Sequence, residues 1–412
     1  MPGAAFSASH GQAVGPTDLP LVGVRVVDIS TSYAGPTASM YLADLGADVI
    51  KVERPGGDDA RSWGPPFAGT DAAWFISANR NKRSIVIDLQ TGRGRSLLAR
   101  MLGTADVFLE NLNPEKLGRL GLEPHSVLRD YPRIVFCGLS GFGLDGPDAS
   151  LPGYDLVAQA RSGLMSVTGP PAGQPQRVST ALSDIVTGLV AALAIVAALR
   201  RVDHGGPGEI IDVSLLDADL ALMAPRIASY LAGEPEPSPS GGTDSVLAVY
   251  QAFETADRPI VVAVGNDAIW LRLCATLGLR FADQQGLGTN DGRRKRRSQI
   301  TQAIARELRA QPADVWLDRF ASARIPAARI ASLSEVVVDT QVAARGSIRA
   351  LPGSGADSRV VASPWRFART ATAWRHAPAL GEHTAEILRE LGLTEGEADD
   401  LWASGALGTG SP

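Results

Sequence analysis

Two aspartates stand where a carboxylate can do chemistry. Asp184 lies in TALSDIVTGLVAALAIVAALRR, Thr180 to Arg201, and no charged residue follows it until Arg200. Asp155 follows a Pro-Gly turn in PGYDLVAQ. Ser183 and Asp184 directly precede an apolar helix, and either side chain can cap it. The same position offers chemistry. A helix start stabilises an anion and lowers its pKa, and an ionised, fixed carboxylate is a nucleophile toward an activated carbonyl. Backbone N–H groups nearby can hold an oxyanion. Asp155 is equally suited to starting a helix, with Tyr154 as a packing aromatic, or to standing beside Asp184. Two carboxylates in one site push their pKa values apart. Spacing alone does not choose between capping and catalysis.

Basic and amide residues recur where strands end. Arg54 closes VIKVERPGG, Asn111 closes ADVFLEN, and Arg119 follows one short helix later. NRNKRS, Asn79 to Ser84, precedes another strand. Arg and Asn at strand ends suit phosphate and amide groups, so a polyphosphate ligand is expected. The first strand-to-helix turn, DISTSYAGPTA, lacks GxGxxG, and neither a Walker A motif nor a GxSxG elbow occurs. Those absences count against the usual nicotinamide or flavin site, a P-loop and a serine hydrolase. The run Arg293 to Arg297 lies in a chain of net charge −5 without interleaved aromatics. It reads as a solvated helical face, and no nucleic-acid partner is expected.

The elements that position these residues alternate. VGVRVVDIS, ADVIKVERP, RSIVIDL, ADVFLEN and PRIVFCGLSGFG read as strands, with GPTASMYLADLG and GRGRSLLARMLGTA as helices between them. This alternation predicts an α/β fold with a doubly wound parallel sheet, its ligands beyond the carboxyl ends of the strands. A helix from Tyr154, the buried helix after Asp184, the strand GEIIDVS and the helix LLDADLALMAPRIASYL follow. GEPEPSPSGG then reads as a linker, and AVYQAFETADRPIVVAVGND as a hairpin in a smaller α+β domain. The expected organisation is a flexible tail over 1–19, a large domain over 20–232, a linker over 233–243 and a small domain over 244–324. Residues 325–412 form a linker and a returning terminal segment.

The bulk properties agree with a globular enzyme. The chain has 412 residues, 45% hydrophobic and 20% charged. Cys137 and Cys274 are too far apart for a disulfide framework or a metal motif, which fits a reducing cytoplasm. The first twenty residues lack the regions of a signal peptide. The apolar run Ile185 to Leu199 is short for a membrane span, so a buried helix and no membrane partner are expected.

Taken in order, these segments resemble the family III CoA-transferases, which include formyl-CoA:oxalate and carnitine CoA-transferases and are related to the α-methylacyl-CoA racemases. The resemblance runs from Leu21 to Trp402 through GVRVVDISTSYAGPTASMYLADLGADVIKVERPGGDDAR, ADVFLENLNPEKLGRLGL, PGYDLVAQARSGLMSVTG and ALSDIVTGLVAALAIVAAL. It implies a nucleophile at Asp184, with Asp155 nearby to orient or tune it. It implies a CoA site using Ser32, Tyr33, Ala34, Arg54, Ile87, Asp88, Asn111, Leu112, Arg119, Gly153 and Tyr154, with Arg54 and Arg119 on phosphates. CoA is then part of the substrate, an acyl-CoA and a free carboxylic acid are the reactants, and no permanently bound cofactor or metal is implied. The resemblance further implies a Rossmann-like domain built from both chain ends and an interlocked homodimer. The reaction it implies passes CoA through an aspartyl anhydride and an aspartyl-CoA thioester. Alternatives are an acyl-CoA racemase or a non-catalytic CoA-binding protein. The related racemases carry a histidine where Tyr154 stands, and a phenol with pKa near 10 is a poor base at neutral pH. Tyr33 stands where the oxalate enzymes have a glutamine, and their glycine-rich loop is reduced here to Gly241 and Gly242. Both differences point away from oxalate. Tyr33, Trp63, Trp74 and the Gly241 loop are expected to shape the acyl pocket.

Overall fold

The computed structural model describes residues 18–282, 284–352, 359–372 and 374–408; most of the expected N-terminal tail lies outside them. Six strands form one parallel sheet: β1 (Arg25–Asp28), β2 (Asp48–Glu53), β3 (Arg83–Val86), β4 (Val107–Glu110), β5 (Val135–Ser140) and β6 (Glu209–Ser214). Their order is β3-β2-β1-β4-β5-β6. The chain therefore leaves β1 in one direction for β2 and β3, and in the other for β4 to β6. Such a reversal opens a crevice beyond the carboxyl ends of β1 and β4, where ligands bind in doubly wound sheets.

Alternation along the strands builds two cores. Val27, Ile50, Ile85, Phe108 and Phe136 face one side, and Val26, Val49, Val107, Leu109 and Val135 face the other. Successive strand side chains point to opposite faces, and a sheet covered on both faces is apolar on both. On the first face lie α2 (Gly92–Leu102) and α3 (Pro114–Leu120). Ile387, Leu388 and Leu401, from two helices near the C-terminus, pack there too. Arg83 at the start of β3 pairs with Glu386 (2.9 Å) and Glu390 (2.8 Å), and Ile87 bridges to Leu407. The end of the chain thus completes the domain that its beginning started.

The second face carries α1 (Ala34–Asp44), α4 (Asp155–Arg161), α5 (Leu182–Asp203) and α6 (Leu215–Leu231). Helix α5 is long and apolar enough to cross a membrane by length and composition. Here it packs on the sheet through Ala191, Ile195 and Leu199. Gly188 lets it approach α1 closely: a Cβ there would stand 2.9 Å from the Ala34 carbonyl oxygen and from Thr37 Cβ.

Two compact units emerge. One contains residues 18–164, 178–232 and the described part of 343–412; the other contains 165–177 and 233–342. Residues 165–177 and 325–342 thus group with the second unit, whereas the sequence reading set them in the large domain and in the returning segment. In the second unit β7 (Tyr250–Phe253), β8 (Ile260–Ala263) and β9 (Ala327–Arg329) form an antiparallel sheet in the order β9-β8-β7. Helices pack around Trp270, Ile300 and Phe320. The basic run departs from the expected solvated face. Arg293 is buried, donates to Asp267 and lies 5.4 Å from the Trp270 ring centre. Arg294 pairs with Glu234, and Arg297 donates to the Leu247 carbonyl.

Candidate active site

The turn after β1 is shaped by buried charge. Asp28 accepts from the Ser30 N–H (2.8 Å) and from the hydroxyls of Ser30 and Ser39. Lys51 donates to the Ser30 carbonyl (2.9 Å) and pairs with Asp58 (2.8 Å). Asp58 in turn accepts the Ser32 N–H (3.0 Å), and Ser32 sits at φ 70°, in the left-handed region where glycine is usual. Hydrogen bonds to acidic side chains thus replace the glycines of the usual dinucleotide turn. Asn111, just beyond β4, clamps this loop. Its Oδ1 accepts the Thr31 N–H (3.0 Å) and its Nδ2 donates to the Thr31 carbonyl (2.9 Å). Asn111 therefore fixes the crevice wall with the amide groups that the sequence reading reserved for ligand.

Helix α5 begins at Leu182, and the residue before it, Ala181, has no side chain able to cap it. Neither Ser183 nor Asp184 is the cap that the sequence allowed. Asp184 is the third helical residue. The amides around it are occupied: Leu182 N–H donates to the Thr180 carbonyl (2.9 Å), Ser183 N–H to Asp155 Oδ1 (2.9 Å) and Ile185 N–H to the Ala181 carbonyl (3.0 Å). Those three N–H groups are not the oxyanion donors that the sequence suggested.

The electrostatics reverse a second expectation. Asp184 is pushed up to about 7, first by burial and then by the negative charges of Asp155 and Asp219. The helix start was expected to lower it. Desolvation and two like charges outweigh the partial positive charge of a helix end whose amides serve other acceptors. At neutral pH Asp184 is divided between acid and carboxylate.

Asp155 opens α4 and is buried. Its Oδ2 accepts from Gln159 Nε2 (2.8 Å), and Gln159 Oε1 accepts the Val178 N–H (2.9 Å). The preceding turn is pinned by backbone contact, since a Cβ on Gly153 would stand 2.4 Å from Gly141 Cα, at the end of β5. The glycine of PGYD is required by space. Asp219, on α6, was missed by sequence reasoning. It is fully buried and its Oδ2 accepts from the Ser183 hydroxyl (2.8 Å). A signal was present, because Asp219 is one of only two acids, with Asp217, in the otherwise apolar LLDADLALMA.

Asp184 lines a cleft of about 280 Å³ together with Thr31, Ser32, Ala34, Asn111, Leu112, Gly153 and Tyr154. A neighbouring pocket of about 360 Å³ shares Thr31 and Leu112 with it and is lined by Arg54, Ile87, Asp88 and Lys116. Arg54 also pairs with Asp59. The sequence-expected catalytic and CoA-site residues therefore gather in two adjoining pockets, except that Asp155, Arg119 and Tyr33 line neither. Arg119 is exposed and lines neither pocket; Lys116, one helical turn earlier on α3, takes the lining position. Tyr33 is not among the lining residues, though Asp184 contributes to raising its pKa after burial. Its hydroxyl meets Ser77 Oγ (2.9 Å), and its ring packs edge-on against Trp74, with centres 5.2 Å apart. Trp74 in turn meets Trp63, which lines the cleft. Tyr154 is 62% exposed, and Gly241 belongs to the second unit.

Comparison with known proteins agrees with this fold and composition. The model of CoA-transferase family III matches residues 21–384. The chain is 39% identical to a succinate–glutarate CoA-transferase of Agrobacterium fabrum, covering 91% of this chain and 96% of that one. It is 37% identical to a human succinyl-CoA:glutarate CoA-transferase, covering 90% and 86%. An acetyl-CoA:oxalate CoA-transferase of Acetobacter aceti is 35% identical over 80% of this chain and 85% of its own length. Among solved structures, a CAIB/BAIF family protein from Brucella suis superposes with a TM-score of 0.79 at 36% identity, covering 90% of this chain and 99% of that one. With its doubly wound sheet and its match over nearly the whole length, the chain belongs to CoA-transferase family III and is an enzyme of that family.

Proposed function

We propose that this enzyme moves CoA from succinyl-CoA to a free dicarboxylate of glutarate size, with Asp184 as nucleophile. The observation that carries the reading is the cleft. Asp184 is a half-buried carboxylate lining the crevice beyond β1 and β4, next to a pocket bearing Arg54 and Lys116. Those two cations suit the phosphates of the CoA nucleotide, and Ile87 and Asp88 line the same pocket. The pantetheine arm then runs past Thr31 and Leu112, which both pockets share, and brings its thioester toward Asp184. Two relatives named for succinyl and glutarate substrates support the choice of donor and acceptor.

In the reaction, an Asp184 carboxylate oxygen attacks the thioester carbonyl carbon. The C–S bond breaks, the CoA thiolate leaves, and an aspartyl anhydride remains. The thiolate attacks the Asp184 carbonyl of that anhydride, releasing the donor acid and forming an aspartyl-CoA thioester. The acceptor carboxylate attacks this thioester and displaces the thiolate again. Attack of the thiolate on the acceptor's acyl carbon releases the new acyl-CoA and restores Asp184. No proton is gained or lost over the cycle. A carboxylate whose pKa is raised to about 7 is more nucleophilic than an ordinary one once ionised. Asp155, fixed by Gln159 and Ser183, orients the first turn that carries Asp184.

The exposed side chains of Leu193 on α5 and Leu222 and Leu231 on α6 support a homodimer, because a second copy would cover them. Light scattering tests this, and a monomer mass would refute it. Asp184→Ala tests the chemistry: transfer between succinyl-CoA and glutarate is expected to vanish while circular dichroism stays unchanged. Undiminished turnover would eliminate the assignment.

A further inference from the structure

We propose that Asp219 is a positioning residue for this reaction: through the Ser183 hydroxyl it fixes the first turn of α5 and keeps a second negative charge beside Asp184. The inference rests on the reading of Asp184 as the nucleophile. Asp219 lies thirty-five residues beyond Asp184, on another helix.

The geometry forms one connected web. Ser183 donates its N–H to Asp155 Oδ1 (2.9 Å) and its hydroxyl to Asp219 Oδ2 (2.8 Å), so two carboxylates from α4 and α6 hold the residue next to Asp184. The Ser162 hydroxyl approaches the same Asp219 oxygen at 3.4 Å. Asp219 Oδ1, by contrast, is buried and has no hydrogen-bond partner among the described residues. A buried carboxylate with one unpaired oxygen is unfavourable for folding. An asparagine or an apolar residue would fill this space at less cost, which argues that the charge serves the site rather than the core.

The charge has a direct consequence. The titratable groups facing Asp184 are Asp155 from α4, Asp219 from α6 and Tyr33 at the start of α1. Both aspartates disfavour ionisation of Asp184, in addition to burial. Asp219 is itself raised, first by burial, while its bonds from Ser183 and Ser162 oppose that rise. Removing its charge should let Asp184 ionise at lower pH, and breaking its link to Ser183 should loosen the turn that aims Asp184.

The pH dependence of transfer from succinyl-CoA to glutarate tests this in Asp219→Asn, Ser183→Ala and Asp184→Ala. The wild-type acid limb is expected near 7. In Asp219→Asn it should move down by about one pH unit, as expected for one neighbouring charge, so that the ratio of rates at pH 6 and pH 8 rises about fivefold. A folded Asp219→Asn enzyme with an unmoved limb overturns the inference. Ser183→Ala leaves Asp219 in place and keeps the test open should Asp219→Asn fail to fold. It should lower kcat about tenfold with the KM for succinyl-CoA held, whereas wild-type kcat overturns the inference. The Asp184→Ala control separates the two ideas. Its inactivity combined with an unmoved limb in Asp219→Asn refutes only the role of Asp219, while activity in Asp184→Ala refutes the nucleophile itself.

Discussion

Replacing Gly153 by alanine should disable catalysis while sparing the nucleotide pocket. A Cβ at position 153 would lie 2.4 Å from Gly141 Cα and 3.2 Å from its nitrogen. Ordinary contact begins near 3.4 Å, so the two backbones must separate by roughly 1 Å. Both contacting atoms are backbone, so no side chain can swing aside. Gly141 follows the end of β5, which is anchored between β4 and β6, whereas Gly153 lies in a loop before α4. The loop will yield. Asp155 is two residues away, and its 2.9 Å bond to the Ser183 N–H would stretch to about 3.9 Å, beyond hydrogen-bond range. The amide would lose its acceptor, and the turn carrying Asp184 would shift with it. Misplacement of about 1 Å lowers rates by about a hundredfold, and overpacking costs roughly 1–3 kcal/mol of stability. CoA binding should survive, because Arg54, Ile87, Asp88 and Lys116 line a separate pocket. Steady-state kinetics, calorimetric CoA binding and thermal melting together make the assay. Wild-type kcat in Gly153→Ala would refute the idea that this backbone contact places the catalytic carboxylates.

Three further outcomes are expected. Asp184→Asn should alter stability in a pH-dependent way. The folded pKa of Asp184 is raised from 3.8 to about 7, so its contribution to stability is intact below the unfolded value and is lost as pH rises through about 7. The asparagine variant should therefore gain melting temperature at pH 8 and not at pH 4, and equal gains at both would contradict the shift. Lys116→Ala should raise the KM for succinyl-CoA about tenfold with kcat held, whereas Arg119→Ala should change it by less than about twofold, because only Lys116 lines a pocket; the reverse pattern would restore the sequence-based expectation for Arg119. Asn111→Ala removes both bonds of the clamp on Thr31 and should destabilise the protein by about 1–3 kcal/mol. An unchanged melting temperature would show that the clamp is dispensable.

Much of the architecture was legible because it rests on local pattern. Short, near-continuous apolar runs in VRVVD and VFLEN mark strands buried on both faces, and GPTASMYLADLG shows its own helix and stop. The turn glycine of PGYD and the acid of ALSD were likewise visible as candidate chemistry. What stayed hidden depends on long-range packing. Asp219 belongs to the site because α6 crosses α4 and α5, and nothing within LLDADLALMA states which helices it meets. The direction of the Asp184 shift depends on burial and on the negative charges of Asp155 and Asp219, which are brought in by other helices. Lys116 and Arg119 are equally cationic, and only the orientation of α3 separates them. Arg293 became a buried cation because Asp267 and Trp270 receive it, whereas its sequence context of five consecutive basic residues suggests solvent.

The account turns on Asp184 becoming covalently linked during turnover. Hydroxylamine added to enzyme cycling with succinyl-CoA and glutarate attacks activated acyl groups, and peptide mass spectrometry locates the adduct. A hydroxamate at Asp184, present only when acyl-CoA is supplied, is the predicted result. An adduct at another residue, or an unmodified Asp184 peptide from enzyme inactivated by hydroxylamine during turnover, would contradict it.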